Sequence, residues 1–179
     1  YAVQWRINAE TLDAQGQAVP GSGTLARFDM PSGPGVRVDS HGVAGTAPSP
    51  HYDTLLAKLI VHSPSSDFAD VLRRSQRALA ECRIDGVATN LALLQALAAR
   101  PEMAQQQVHT RWLESVLPAL IDASKTIAAR AYPESAGGEF DSNSPAAQQS
   151  VLPEGAVTAP MPARLVQCSV AVGDKVAAG

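Results

Sequence analysis

The hydrophobic period of the chain changes between residues 62 and 68, and this change constrains the fold more than any other feature of the sequence. Before it, apolar and polar residues alternate, most strictly over residues 3–9, which is the period of a half-buried strand. After it, apolar residues recur three and four positions apart, as in an amphipathic helix. Strands followed by helices predict an α+β fold in which helices flank an antiparallel sheet.

Four segments before the change are strand candidates. They are residues 3–9, TLARFDM (24–30), the stretch around 36–39, and TLLAKLIVH (54–62). The last is apolar enough to be buried on both faces, with Lys58 as its one interruption. The loop over residues 11–23 is rich in Gly, Pro and Ser, and Gly33 and Gly35 predict a tight turn before the third strand.

Three helices are predicted after the change. The first begins at a cap formed by Ser66 or Asp67, and its apolar stripe comprises Phe68, Val71, Leu72, Ser75, Leu79 and Cys82. The segment CRIDGVATN (82–90) is predicted to break the first helix at Gly86, and a second helix capped by Thr89 or Asn90 ends near Ala99, before Pro101. A third helix is predicted to begin at Thr110.

The composition changes again near Asp122, where Ala, Ser, Pro, Gly and Gln replace large apolar residues as far as Gly155. Strand-like alternation then resumes in VTAPMPARLVQCSVAVGDKVAAG (residues 157–179). We therefore predict a domain at 1–121, a flexible linker at 122–155, for which a helical start is left open, and the truncated start of an all-β domain at 156–179.

Charge and composition argue against several functions. The net charge of −3, without a basic cluster, argues against nucleic-acid and membrane partners, and no apolar run approaches the roughly 20 residues of a membrane span. Cys82 and Cys168 are far apart and have no neighbours at metal-ligand spacing, which predicts a reducing, cytoplasmic location and no metal site. Because Tyr1 opens the chain without Met or a leader, we expect an internal piece of a longer protein.

Four segments, in order, resemble signatures of the C-terminal domain of biotin carboxylase. They are WRINAE (5–10), PSGPGVRVDSH (31–41), YDTLLAKLI (52–60) and IDGVATN (84–90). Each is weak alone, but their order and gaps are specific, and the resemblance covers residues 1 to about 117. Residues 157–179 resemble the first half of a biotinyl carrier domain, which accompanies the carboxylase in this family.

The resemblance implies a reaction and two site residues. In this family ATP and bicarbonate give carboxyphosphate, and the carboxyl group passes to N1′ of biotin while negative charge develops on the ureido oxygen. Arg37 matches the arginine that faces this oxygen, which implies a catalytic and biotin-binding role. Asp85 matches a family acid near that arginine and is the second predicted biotin-binding residue; an Asx-type turn before Gly86 is an equally open interpretation.

Other matching residues favour structural interpretations. Asp53 and Lys58 are interpreted as a neutralising pair on a buried strand, and His41 as a satisfied core or turn histidine. Three polar residues of the first signature are assigned to sheet packing or to a seam with an upstream part: Arg6, Asn8 and Glu10.

The resemblance also implies partners. ATP and Mg²⁺ or Mn²⁺ would bind an ATP-grasp part, and biotin a carrier lysine, both outside these residues, so the 179 residues alone are expected to be inactive. The other implied partners are a carboxyltransferase and a second copy of the chain. The short gap before the carrier-like segment favours an acyl-CoA carboxylase; a pyruvate or urea carboxylase, or a non-catalytic assembly and dimerisation module, are the alternatives.

Overall fold

The computed structural model describes residues 1–49 and 53–131. The strands in these residues are β1 (Ala2–Asn8), β2 (Glu10–Leu12), β3 (Ala18–Pro20), β4 (Gly23–Asp29), β5 (Val36–Ser40), β6 (Leu55–His62) and β7 (Arg83–Val87). The helices are α1 (Phe68–Glu81), α2 (Leu91–Ala98), α3 (Pro101–Ala104) and α4 (Trp112–Ala131). The predicted α+β class is confirmed; the all-β start at 156–179 and most of the predicted linker lie outside the described residues.

The main sheet is antiparallel with the strand order β1-β6-β5. Trp5 and Ile7 of β1 are buried with Leu59 and Val61 of β6, whereas the residues between them face the other side. The alternation predicted for β1 is therefore correct. The prediction that β6 is buried on both faces is only partly right. Its second face is buried at Leu56, half-buried at Lys58 and Ile60, and exposed at His62, the last residue of the strand.

A second strand pair joins β4 to β7 in antiparallel register, with a bulge in β4. The first helix does end next to the predicted segment 82–90, but at Glu81 and not at Gly86, which lies inside β7 with a φ of +88°. Asp85 lies on the same strand opposite Arg27, so the turn interpretation of Asp85 is also wrong. Asp and Gly are unfavourable strand residues, and the pairing with a distant strand overrides this local preference.

Helix α1 covers the inner face of the main sheet. Its buried residues are Val71, Leu72, Ser75, Ala78 and Leu79, which confirms the predicted stripe. Asp67, one of the two predicted caps, accepts a hydrogen bond from the Ala69 amide at 2.9 Å. Cys82, just after the helix, donates to the Ala78 carbonyl, and burial raises the pKa of its thiol to about 12, so this cysteine is unreactive at neutral pH.

Helix α4 continues past the predicted domain boundary at residue 121 and ends at Ala131. Leu120 and Ile121 are buried, and the helix packs against α2. The helical start left open for the linker is therefore correct, and the boundary at 122 falls inside a helix. Alanine is the strongest helix former, so the loss of large apolar residues after Asp122 does not end the helix.

An ionic cluster fixes the first turn of α1 to the end of the main sheet. Asp70 accepts hydrogen bonds from Ser63 Oγ at 2.5 Å, Arg74 Nε at 2.8 Å and Arg73 Nη2 at 2.9 Å. The hydrogen bond from Ser63, followed by that from Arg74, lowers the pKa of the Asp70 carboxyl from 3.8 to about 2.

We expect this cluster to make stability depend on acid. The folded state keeps Asp70 ionised below the pH at which the unfolded chain binds the proton, so its contribution is present above about pH 4 and is lost towards about pH 2. Urea denaturation of the Asp70→Asn variant should show a smaller loss of stability over this interval than the parent. Glu114→Gln, at an exposed pair, is the control; equal acid sensitivity of parent and Asp70→Asn would contradict the prediction.

Candidate functional site

Arg37 lies on β5, an edge strand of the main sheet, directly after a glycine turn. Gly35 has a φ of +80°, and a Cβ there would lie 2.5 Å from the His62 carbonyl oxygen. This close approach lets the Gly35 carbonyl accept a hydrogen bond from the His62 amide at 2.7 Å. The backbone just before β5 is therefore hydrogen-bonded to the last residue of β6.

The guanidinium of Arg37 is held from one side by Asp39. Arg37 Nε donates to Asp39 Oδ1 at 2.8 Å, and Nη2 donates to Oδ2 at 2.9 Å. Residues two apart on a strand share a face, which brings these side chains together. The hydrogen bond raises the pKa of Arg37 and lowers that of Asp39, so both groups are charged at neutral pH. The Arg37 side chain is nevertheless 73% exposed.

The outer face of the main sheet carries a row of charges beside this pair. Arg6, Lys58 and Asp39 are cross-strand neighbours on β1, β6 and β5. The predicted pair of Asp53 with Lys58 is wrong: Asp53 Oδ2 accepts from Arg6 Nη2 at 2.9 Å. The strand register explains why Asp53 does not pair with Lys58. Asp53 precedes β6, whereas Lys58 lies in the middle of β6 with Arg6 and Asp39 as its cross-strand neighbours.

Asp85 is not joined to Arg37 by a hydrogen bond or ion pair in the described part of the chain. It lies on β7 in the smaller strand pair, whereas the carboxylate bound to Arg37 is that of Asp39. Asp39 is not among the site residues predicted from the sequence. The signal was nonetheless present, because the spacing Arg-x-Asp on a predicted strand places both side chains on one face.

The remaining residues of the first signature have structural contacts. Asn8 Nδ2 donates to Glu10 Oε1 at 2.9 Å, and Thr54 Oγ1 donates to Glu10 Oε2 at 2.7 Å. Asn90 Oδ1 accepts from the Asn8 amide at 3.0 Å, which ties β1 to the start of α2. These bonds support the sheet-packing interpretation. His41, predicted as a core or turn histidine, is instead exposed just after β5.

The described residues contain neither a metal-ligand cluster nor a membrane-spanning helix. Within residues 1–49 and 53–131, no three or more His, Cys, Asp or Glu side chains are grouped so that they could bind a metal ion. None of the helices described combines the length and apolar composition that crossing a bilayer requires.

Known proteins contain similar α+β domains. Residues 4–115 match the family model described as the biotin carboxylase C-terminal domain, and the chain belongs to this family. The resemblance of the four signatures is thereby confirmed. The carrier-like segment lies outside both the matched and the described residues.

Curated relatives are carboxylases of which this chain covers a small part. It is 37% identical over 119 residues to the biotin-dependent acyl-coenzyme A carboxylase alpha3 subunit of Mycobacterium leprae, covering 64% of this chain and 19% of that protein. It is 37% identical over 116 residues to biotin carboxylase of Nostoc sp., covering 65% of this chain and 25% of that protein. The chain thus spans a quarter or less of these relatives.

Solved structures show the same fold. A single-chain, multi-domain long-chain acyl-CoA carboxylase is 43% identical with a TM-score of 0.65, over 68% of this chain and 12% of that one. A second structure is the biotin carboxylase domain dimer of Hydrogenobacter thermophilus 2-oxoglutarate carboxylase, solved with MgADP, ADP and bicarbonate. It is 33% identical with a TM-score of 0.61, over 68% of this chain and 26% of that one.

Proposed function

We propose that this domain forms the biotin-side wall of a biotin carboxylase active site in a multidomain acyl-CoA carboxylase, which carboxylates biotin with ATP and bicarbonate. The observation that carries the proposal is the state of Arg37: permanently charged, largely exposed, and fixed on a strand that begins at a glycine turn. A structural surface arginine needs neither the close turn nor a fixed orientation.

The donors at Arg37 fit a ureido group. Bound biotin supplies a ureido nitrogen that accepts the carboxyl group and a ureido oxygen on which negative charge develops. Arg37 would hold this oxygen, since guanidinium offers N–H donors in a fixed fork and keeps its charge at any physiological pH. A charge already in position stabilises a developing oxyanion without reorganisation during the reaction.

Asp85 belongs to the proposal as a second biotin-binding residue. Its side chain makes no hydrogen bond within the described residues, so its carboxylate is available to accept one from a ligand N–H group. A direct test is the KM for free biotin in the Asp85→Asn variant of the full-length protein. An unchanged KM would remove Asp85 from the site.

The other components of the reaction would come from elsewhere. ATP and Mg²⁺ or Mn²⁺ would bind an ATP-grasp part, a biotinyl carrier domain would deliver biotin, and a carboxyltransferase would use the product. A homo-oligomer and a cytoplasmic location go with this proposal. The acyl-CoA type is supported by the M. leprae relative, although Staphylococcus aureus pyruvate carboxylase is also 34% identical over 128 residues, covering 71% of this chain and 11% of that protein.

Two measurements on the full-length protein test the proposal. Loss of biotin carboxylation on replacement of Arg37 tests the site. Fixation of labelled bicarbonate onto acetyl-CoA, propionyl-CoA, a long-chain acyl-CoA, pyruvate or urea tests the acceptor, and transfer to pyruvate or urea alone would overturn the acyl-CoA assignment. Full carboxylation without Arg37 would favour the assembly-module alternative.

A further inference from the structure

We propose that Asp39 is a positioning residue that fixes the Arg37 guanidinium so that one edge of it stays free for an oxyanion. The inference rests on the proposed function and adds a residue to it. Its basis is the side-on geometry of the pair, in which both carboxylate oxygens of Asp39 accept from Arg37.

Guanidinium has five N–H bonds, and the pair with Asp39 uses those of Nε and one on Nη2. This leaves the two N–H bonds of Nη1 and the second of Nη2. One N–H of Nη1 and the free N–H of Nη2 are parallel and form a second fork on the adjacent edge. Because the side chain is 73% exposed, this fork is accessible to a ligand oxygen while Asp39 remains bound.

Asp39 also has a cationic neighbour on a second strand. Lys58 is its direct cross-strand neighbour on β6, and the positive charge of this lysine favours the ionised carboxylate of Asp39. The carboxylate thus lies between two cations on adjacent strands. Without it, an exposed arginine would populate many rotamers, and the fork would be aimed correctly only part of the time.

A second Arg-x-Asp pair in the same domain provides a matched control. Arg27 Nε donates to Asp29 Oδ2 at 2.6 Å on β4, and the two side chains are 53% and 60% exposed. The residue spacing and strand setting are the same, but this pair is on the strand that joins β7. Replacing Asp29 with asparagine therefore shows how the loss of an exposed ion pair elsewhere in the domain affects kcat and KM.

The test measures kcat and KM for free biotin in the full-length protein. Asp39→Asn keeps the size of the side chain but loses its charge and one acceptor. We expect kcat to fall about tenfold while KM changes less than about twofold. The reason is that the orientation of the guanidinium matters most in the transition state, where negative charge develops on the ureido oxygen. Asp39→Glu should recover most of the lost kcat, and Asp29→Asn should match the parent. Melting temperatures should be unchanged, since exposed ion pairs contribute little stability.

The outcomes separate this inference from the proposed function. If Arg37→Ala abolishes carboxylation but Asp39→Asn leaves kcat unchanged, the positioning role is wrong and the function stands. If Arg37→Ala is itself fully active, the proposed function fails. A fall in kcat accompanied by a lower melting temperature, or a failure of Asp39→Glu to recover activity, would also overturn the positioning role.

Discussion

Replacing Arg37 with alanine in the full-length protein is expected to lower kcat for biotin carboxylation by about 10²–10³-fold, the usual cost of removing one group that stabilises an oxyanion. The physical reason is that the charge and the donors of Arg37 are lost together. Arg37→Lys should recover only a part of the rate, because an ammonium keeps the charge but has no planar fork.

The measurement is bicarbonate-dependent carboxylation of free biotin. Its rate is monitored as the release of ADP, in the presence and in the absence of biotin. Arg111→Ala is a suitable control, since this arginine is 84% exposed and interacts with Glu114 at 3.5 Å, away from the main sheet. Arg37→Ala with the parent's kcat would show that this arginine does not contact the reacting group.

Replacing Gly86 with alanine is expected to destabilise the fold by about 3 kcal/mol or more, from a strained backbone and a steric clash together. The φ of +88° is unfavourable for any residue with a Cβ. A Cβ at this position would also overlap the carbonyl oxygen of Thr24 and lie 2.7 Å from the Ala26 amide nitrogen. Both are backbone atoms of the paired strand, so relief requires the β4–β7 pair to separate.

Gly45 separates the two causes. It has nearly the same φ, +89°, but a Cβ there meets no atom within 4 Å. Gly45→Ala should therefore cost only the conformational strain of about 1–2 kcal/mol. Urea denaturation of the 179-residue chain measures both variants. Equal losses for Gly86→Ala and Gly45→Ala would show that the close contact with β4 does not contribute.

The elements that the sequence predicted correctly are those whose signal is local. The alternation in β1 and the stripe of α1 depend only on the spacing of neighbouring residues, and Asp67 acts as a cap on an amide two residues away. The proposed role of Arg37 also rests on a local signal, the contiguous motif that carries the resemblance. None of these requires knowledge of which distant segments meet.

Two of the errors concern contacts between distant segments. Strand β7 exists because β4 pairs with it, and Asp53 binds Arg6, 47 positions earlier in the chain. Sequence periodicity contains no information about such partners, since the free energy of pairing depends on groups that only the folded chain brings together.

By itself, then, the sequence determined the change from strands to helices, the buried faces of β1 and α1, and the arginine on which the proposed chemistry depends. The tertiary structure alone decided the sheet order β1-β6-β5, which places Lys58 beside Asp39 and leaves Arg37 on an edge strand. The division is physical: conformational preference and amphipathic period are properties of a short segment, whereas register and the environment of a charge belong to the assembled sheet.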